Sequence, residues 1–295
     1  MILRFQHRER GETMLFFCLV IAHLIADFYL QTDDMVIEKR KNLRKHVVHH
    51  FFMTALVLIS FWIFQFNVEN VLTNLLIPLI VIVLTHLLVD LLKIKLLENI
   101  KMNNEENMKR LGFFVLDQLL HLGVIILACE LCFDFKIERF FQKQSNLNFI
   151  DSVLFIVIIV ILATSVSGHM IKILLGTLPN NLLTFEGKYT FKNERNEAEF
   201  VHKGKNGLTE VYNYTIFSKH ELSRGKLIGY IERLLVLLLT FYSAYPAIGF
   251  IVAAKSIARF KQMDDRDWAE YFLLGTLTSM FLGITLGILL KVVLT

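Results

Sequence analysis

Residues 71–97, VLTNLLIPLIVIVLTHLLVDLLKIKLL, decide the fold class of this chain. The stretch is apolar for nearly its whole length and carries no Asp, Glu, Lys or Arg before Asp90. An α-helix rises about 1.5 Å per residue, so about 20 apolar residues cross the hydrocarbon core of a bilayer. The stretch therefore predicts a membrane-spanning helix, in which Pro78 is tolerated because neighbouring helices satisfy the freed backbone groups.

Apolar runs of this kind recur along the chain, which is 55% hydrophobic with a mean hydropathy of +0.53 and contains only 3 prolines. They predict an all-α, polytopic membrane bundle of about eight spans. The seventh run is short for a full crossing. The runs are 14–30, 47–66, 71–97, 112–133, 149–175, 226–245, 247–260 and 268–293.

The connecting segments predict the orientation. Lys and Arg are concentrated in alternate segments, around 39–45, 93–110 and 259–266, and in the long segment after residue 175. The positive-inside rule places those segments in the cytoplasm of a multi-pass protein of the cell (inner) membrane. The net charge of +4 is spread over short clusters, which argues against nucleic acid as a partner.

The runs divide the chain into five segments. The only sizeable polar segment contains KYTF and EVYNYTIF, separated by GKNG, which predicts a small β-hairpin or a plain linker. The segments are an N-terminal extension 1–13, a four-helix unit 14–133, a fifth span 149–175, a cytoplasmic insert 178–224 and a C-terminal three-helix unit 225–295.

The first, third and fourth runs each contain one His and one Asp at i,i+4 spacing. Because this spacing puts both side chains on one helical face, each pair points in one direction. An ionisable group inside a span costs about 2.5 kcal/mol or more on insertion scales, so such groups are candidates for function. The pairs are His23 with Asp27, His86 with Asp90, and Asp117 with His121.

The order within the pairs follows the direction of the helices. Spans one and three run inward with His before Asp, whereas span four runs outward with Asp before His. All three pairs then place a carboxylate near the cytoplasm and an imidazole deeper. The second span begins at the same level with three more histidines, and we expect only one to join the cluster, His49 or His50 rather than His46.

The cluster predicts metal chemistry. Three facing carboxylates in a low dielectric require a compensating cation, and His nitrogen and Asp oxygen are ligands for zinc, manganese or iron. A bound ion activates water, so we expect a hydrolase of a lipid or membrane-proximal ester or phosphoester at the cytoplasmic leaflet, with Asp27, Asp90 and Asp117 in catalytic roles. The expected metal ligands are His23, Asp27, His49, His50, His86, Asp90, Asp117 and His121.

Two other classes remain open for the same residues. A proton- or metal-ion-coupled transporter uses His/Asp chains inside spans, and a membrane scaffold would use the cluster only for structure. The outer halves of spans one to four are almost wholly apolar, which favours the enzyme over the transporter. The expected partners are membrane lipids, a lipid-linked substrate and an unidentified cytoplasmic protein.

The C-terminal unit carries opposite charges at comparable depth. Glu232 and Arg233 lie in the sixth run, and Lys255 and Arg259 lie at i,i+4 spacing in the seventh. We expect structural ion pairing across these helices, with Glu232 and Arg233 as its members in the sixth run. The functional alternative is that Lys255 or Arg259 binds phosphate at the inner leaflet.

Several motifs carry a resemblance over most of the chain: HLIADFYLQTD, THLLVDLLK, LDQLLHL, GKLIGYIERLL, AAKSIARF and AEYFLLGTL. Together they resemble the bacterial multi-pass membrane-protein family called domain of unknown function 3307. The HxxxD pairs alone are similar to those of membrane-bound metal-dependent hydrolases and to the ligand spacing of zinc-dependent phospholipase C. That second resemblance implies that the six His and Asp residues of the pairs are metal ligands.

Overall fold

The computed structural model describes residues 2–32, 35, 38–64, 71–100, 106–133, 135–136, 147–176, 219–264 and 266–295. Every regular element within these ranges is helical, which confirms the all-α prediction. The β-hairpin predicted for the insert lies outside the described residues. The last residues of that predicted insert, from Lys219 onward, already belong to a helix.

Each of the eight apolar runs corresponds to one helix. A 3₁₀ turn, Phe260–Asp264, lies between the last two helices. A π-helical turn at Leu72–Leu76 begins the third helix, and another at Leu162–Val166 interrupts the fifth. The helices are α1 Ile2–Phe28, α2 Lys39–Phe64, α3 Leu72–Asn99, α4 Asn107–Phe133, α5 Phe149–Leu175, α6 Lys219–Phe241, α7 Tyr245–Ala258 and α8 Arg266–Leu294.

Six of the described helices are long and apolar enough to cross a membrane: α1 to α5 and α8. Helix α6 carries Glu232 and Arg233 in its middle, and α7 has only 14 residues, so the expected shortness of the seventh run is confirmed. Large apolar side chains such as Phe52, Leu92 and Leu131 are exposed on the outer faces. A soluble protein rarely exposes contiguous apolar surface on this scale, and the chain is therefore a multi-pass membrane protein.

Helix α1 is central in the N-terminal half. It packs against α2, α4 and α5, while α3 packs between α2 and α4. Leu15 of α1, Leu58 of α2 and Ile159 of α5 are almost fully buried in the shared core. This arrangement turns one face of each of α1 to α4 toward a common interior, which is where the polar residues lie.

Helix α5 connects this half to the C-terminal half, because it also contacts α6 and α8. Helices α6 and α8 approach closely at Gly283 and Gly287, a GxxxG pair. A Cβ atom added at Gly283 would lie 2.9 Å from Val236, and one at Gly287 would lie 2.6 Å from Thr240. Only glycine permits this contact, as is common where membrane helices pack through small residues.

Candidate metal centre

The first four helices bring together the three predicted His/Asp pairs and two histidines of α2. All eight side chains are buried or nearly so, each with no more than about a tenth of its surface exposed. Each helix contributes two residues one turn apart, as the i,i+4 spacing requires. They are His23 and Asp27 on α1, His46 and His50 on α2, His86 and Asp90 on α3, and Asp117 and His121 on α4.

The imidazole rings form one contiguous layer. The ring centroids of His50 and His86 are 3.6 Å apart, and those of His86 and His121 are 4.2 Å apart. His23 lies 5.2 Å from His121, and His46 lies 4.6 Å from His50. The imidazoles of the three His/Asp pairs therefore lie together, as the reversed order of the pair in the fourth run predicts.

The carboxylates lie beside this layer and are linked by an amide. His50 Nε2 lies 2.8 Å from Asp27 Oδ1, and Gln118 Nε2 donates to Asp27 Oδ2 at 2.9 Å. The same amide nitrogen lies 3.5 Å from Asp117 Oδ2, so Gln118 bridges two acids. The sequence analysis missed Gln118, although it is the polar residue next to Asp117 in an otherwise apolar stretch.

Two lysines bind the other acids and supply part of the compensating positive charge that the sequence pattern assigned to a metal ion. Lys39 Nζ lies 2.5 Å from Asp90 Oδ1, and Lys93 Nζ lies 2.5 Å from Asp117 Oδ2. About a fifth of each lysine side chain is exposed, whereas both acids are buried. Mutual repulsion of the carboxylates alone therefore does not require a metal ion. The sequence analysis had used both lysines only as orientation signals.

The choice among the histidines of α2 was partly wrong. His50 joins the cluster as expected, but His46 joins it too, with Nε2 at 3.3 Å from Asp90 Oδ2 and 3.5 Å from Asp27 Oδ1. His49 is half-buried and belongs to neither ligand group described below. The physical reason is that residues four apart share a face, so the rotation of α2 that buries His50 also buries His46.

Potential metal ligands form two overlapping groups among the described residues. In the first group, the ligand atoms lie within 4.8 Å of one another and come from Asp27, His46, His50 and His86. In the second group, the ligand atoms meet the same distance limit and come from His86, Asp90 and His121. His86 belongs to both groups. His23, His49 and Asp117 belong to neither group, and their role as ligands stays a prediction.

Several polar atoms of the cluster are buried without a hydrogen-bond partner among the described residues. His121 Nδ1 lies 2.8 Å from the carbonyl oxygen of Asp117, which can only accept, so this nitrogen donates and Nε2 of the neutral ring carries a lone pair. That Nε2 atom is buried and unpartnered, as are His23 Nε2 and Asp117 Oδ1. Buried unpaired atoms are rare, and a histidine fixed by its second nitrogen is typical of metal ligands.

A cavity about the size of a water molecule adjoins the imidazoles. Four histidines line it, and apart from Thr54 the other lining residues are apolar. The His and Asp donors around it suit zinc, manganese or iron, so these residues could hold one or two ions. The lining residues are Leu19, His23, His50, Thr54, Ile82, Val83, His86, His121, Val124 and Ile125.

The adjacent residues Glu232 and Arg233 of α6 bind different partners. Lys255 Nζ binds Glu232 Oε2 at 2.6 Å, which confirms ion pairing across α6 and α7. Arg233 does not take part in that pair: it donates to the carbonyl oxygens of Ala163 and Thr164 in the π-helical turn of α5. Adjacent residues point about 100° apart on a helix, so Glu232 and Arg233 face different neighbours.

The guanidinium of Arg259 lies over the ring of Trp268, 5.3 Å from its centroid. Lys255 lies over the ring of Phe272 at 5.4 Å in addition to its ion pair. Phosphate binding by Lys255 or Arg259 stays a prediction.

The fold and the cluster define a multi-pass, all-helical membrane protein with a buried His/Asp site shared by its first four helices. Residues 15–138 match the model of a family described as protein of unknown function (DUF3307). The family resemblance is confirmed for this segment, which contains the entire cluster, and the match does not extend over α5 to α8. The chain matches no curated protein and no solved structure.

Proposed function

We propose that this protein is a metal-dependent hydrolase that cleaves a lipid or membrane-proximal ester or phosphoester at the cytoplasmic leaflet. The observation that carries the proposal is the pair of buried, overlapping ligand groups that share His86. Hydrolases often use one ion or two adjacent ions about 3.5–4 Å apart, and overlapping groups suit either case. A divalent ion held by these residues would lower the pKa of a bound water molecule enough to supply hydroxide near neutral pH.

The remaining polar residues have roles that their contacts support. Asp117 lies outside both ligand groups, and its Oδ1 atom has no hydrogen-bond partner among the described residues, so it is the candidate general base. Its main-chain carbonyl fixes the ring of His121. Gln118 orients Asp27 by donating to its second oxygen. His23 lines the water-sized cavity and packs its ring against His121.

The apolar side of the cavity supports a hydrolase over an ion pathway. Leu19, Ile82 and Val124 line the cavity together with the histidines. A pathway for protons or metal ions requires polar groups that continue from the cluster toward the opposite membrane face. The apolar residues that line one side of the cavity instead exclude water from that side, so the reaction would take place on the opposite side of the site.

The test begins with metal content. Protein purified in detergent and incubated with zinc, manganese or iron salts is freed of excess metal, and bound metal is measured by inductively coupled plasma mass spectrometry. Hydrolysis of nitrophenyl esters of phosphate and of a carboxylic acid is then measured on the loaded protein. We expect bound metal and a metal-dependent rate.

The double substitution Asp27→Asn with Asp90→Asn removes one carboxylate from each ligand group and should abolish metal binding and the rate. His49→Gln is the matched control, because His49 lies on the same helix as two ligands but outside both groups. If wild-type protein binds none of the three metals and the double substitution changes nothing, the proposal is wrong.

A further inference from the structure

Lys39 and Lys93 have similar surroundings but differ in whether the carboxylate they bind belongs to a ligand group. Each ammonium binds one buried carboxylate, and about a fifth of each side chain is exposed. Lys39 binds Asp90, which belongs to a ligand group, whereas Lys93 binds Asp117, which does not. Asp90 Oδ2 has no hydrogen-bond partner among the described residues, so an ion bound there would share the Asp90 carboxylate with Lys39 and weaken that ion pair, whereas the pair of Lys93 with Asp117 would be unaffected.

The charge of the site decides what else it can bind. The described groups of the cluster comprise the carboxylates of Asp27, Asp90 and Asp117 and the ammonium groups of Lys39 and Lys93. With neutral imidazoles these groups leave one net negative charge. One divalent ion makes the site net positive by one charge, and two ions make it net positive by three. Uncompensated charge is costly in a low-dielectric interior, so the loaded site favours an anion.

We infer that the metal-loaded site binds a phosphate-bearing substrate, and that Lys39 is the residue that holds its phosphate group. This inference rests on the proposed function and narrows the substrate to phosphoesters. When an ion binds Asp90 Oδ2, it neutralises much of the carboxylate charge that holds Lys39 at Oδ1, and the weakened ion pair leaves the Lys39 ammonium available to the anion. Lysine acts as a point charge toward phosphate and reaches it through a flexible stem.

A neutral carboxylic ester fits this charge balance less well. It would leave the ion and the released ammonium without an added counter-charge in the buried site. A phosphomonoester dianion or a phosphodiester monoanion supplies that charge. Lys93 keeps its ion pair with Asp117 in both states, so it contributes far less to phosphate binding.

The experiment measures binding of inorganic phosphate by isothermal titration calorimetry to the full-length protein in lipid nanodiscs, with and without zinc. We expect phosphate affinity to rise at least about tenfold on zinc loading, which corresponds to about 1.4 kcal/mol. Lys39→Gln should lose about tenfold in the zinc-loaded state. Lys93→Gln should lose only about threefold or less, a change typical of an exposed charge.

Two further variants act as controls. Lys41→Gln, on the same helix and about three quarters exposed, should bind phosphate as wild type does. Lys39→Arg keeps the charge and should keep most of the affinity, which separates loss of charge from loss of folding. Zinc binding by Lys39→Gln should be equal to or tighter than that of wild type, because a competing cation has been removed.

The outcomes separate the two proposals. If wild-type protein takes up no metal, the proposed function fails. If it takes up metal but binds phosphate equally with and without zinc, only the present inference fails. Equal losses in Lys39→Gln and Lys93→Gln would also overturn the inference, since the release of Lys39 is its specific claim.

Discussion

His86 is the residue on which both ligand groups depend, and its replacement gives the sharpest test of the site. The substitution His86→Gln keeps much of the side-chain volume but removes the imidazole shared by the two groups. A four-ligand structural zinc site is worth roughly 10–16 kcal/mol, so one ligand accounts for about 2.5–4 kcal/mol. Since 1.4 kcal/mol corresponds to tenfold, we expect zinc affinity to fall by about two to three orders of magnitude.

The assay is a competition between the purified protein and a chromogenic zinc chelator, which gives both affinity and stoichiometry. His49→Gln, the matched control on helix α2, should stay within about threefold of wild type, because a group outside the site contributes little. Circular dichroism and size-exclusion chromatography establish that each variant is folded. If folded His86→Gln protein binds zinc with unchanged affinity and stoichiometry, the assignment of the two ligand groups is refuted.

Three further predictions concern stability, measured as thermal unfolding in the same detergent. Gly287→Ala should cost about 1–3 kcal/mol through overpacking against α6. Gly112→Ala is the control and should not destabilise the protein, because nothing lies within 4 Å of its added Cβ. Equal melting temperatures of the two variants would contradict the close α6–α8 contact. Arg233→Met should cost about 1–3 kcal/mol by removing the hydrogen bonds from the guanidinium to the carbonyl oxygens of Ala163 and Thr164, and a neutral effect would contradict that contact. Lys255→Met should destabilise the protein, and adding Glu232→Gln to it should restore part of the lost stability, with a coupling energy of about 0.5–3 kcal/mol between the two substitutions. Strictly additive effects of the two substitutions on stability would show that the ion pair is absent.

The sequence predicts the helices and the gathering of the polar residues well, for identifiable reasons. Long apolar runs leave few alternatives to membrane-spanning helices, because the backbone must satisfy its own hydrogen bonds in lipid. The reversal of His and Asp in the fourth run follows the reversal of the helix direction, and this predicted the layer of imidazoles. Both inferences depend on chain direction and periodicity, which are properties of the sequence itself.

The details that the sequence did not predict depend on packing between helices. The rotation of α2 about its axis buries His46 with His50, and that rotation follows from contacts with α1 and α3. Lys39 and Lys93 reach acids on other helices through long, flexible side chains whose direction no periodicity specifies. Arg233 binds carbonyl groups of a π-helical turn, a local irregularity that hydropathy does not reveal.

The most direct test of the central claim is the zinc K-edge X-ray absorption spectrum of the zinc-loaded protein. We expect nitrogen and oxygen ligands at about 2.0–2.2 Å with the multiple scattering of imidazole, because His and Asp supply the donors. Sulfur at about 2.3 Å would place the metal instead at free cysteines, which are Cys18, Cys129 and Cys132. That result, or protein that holds no zinc at all, would contradict the account.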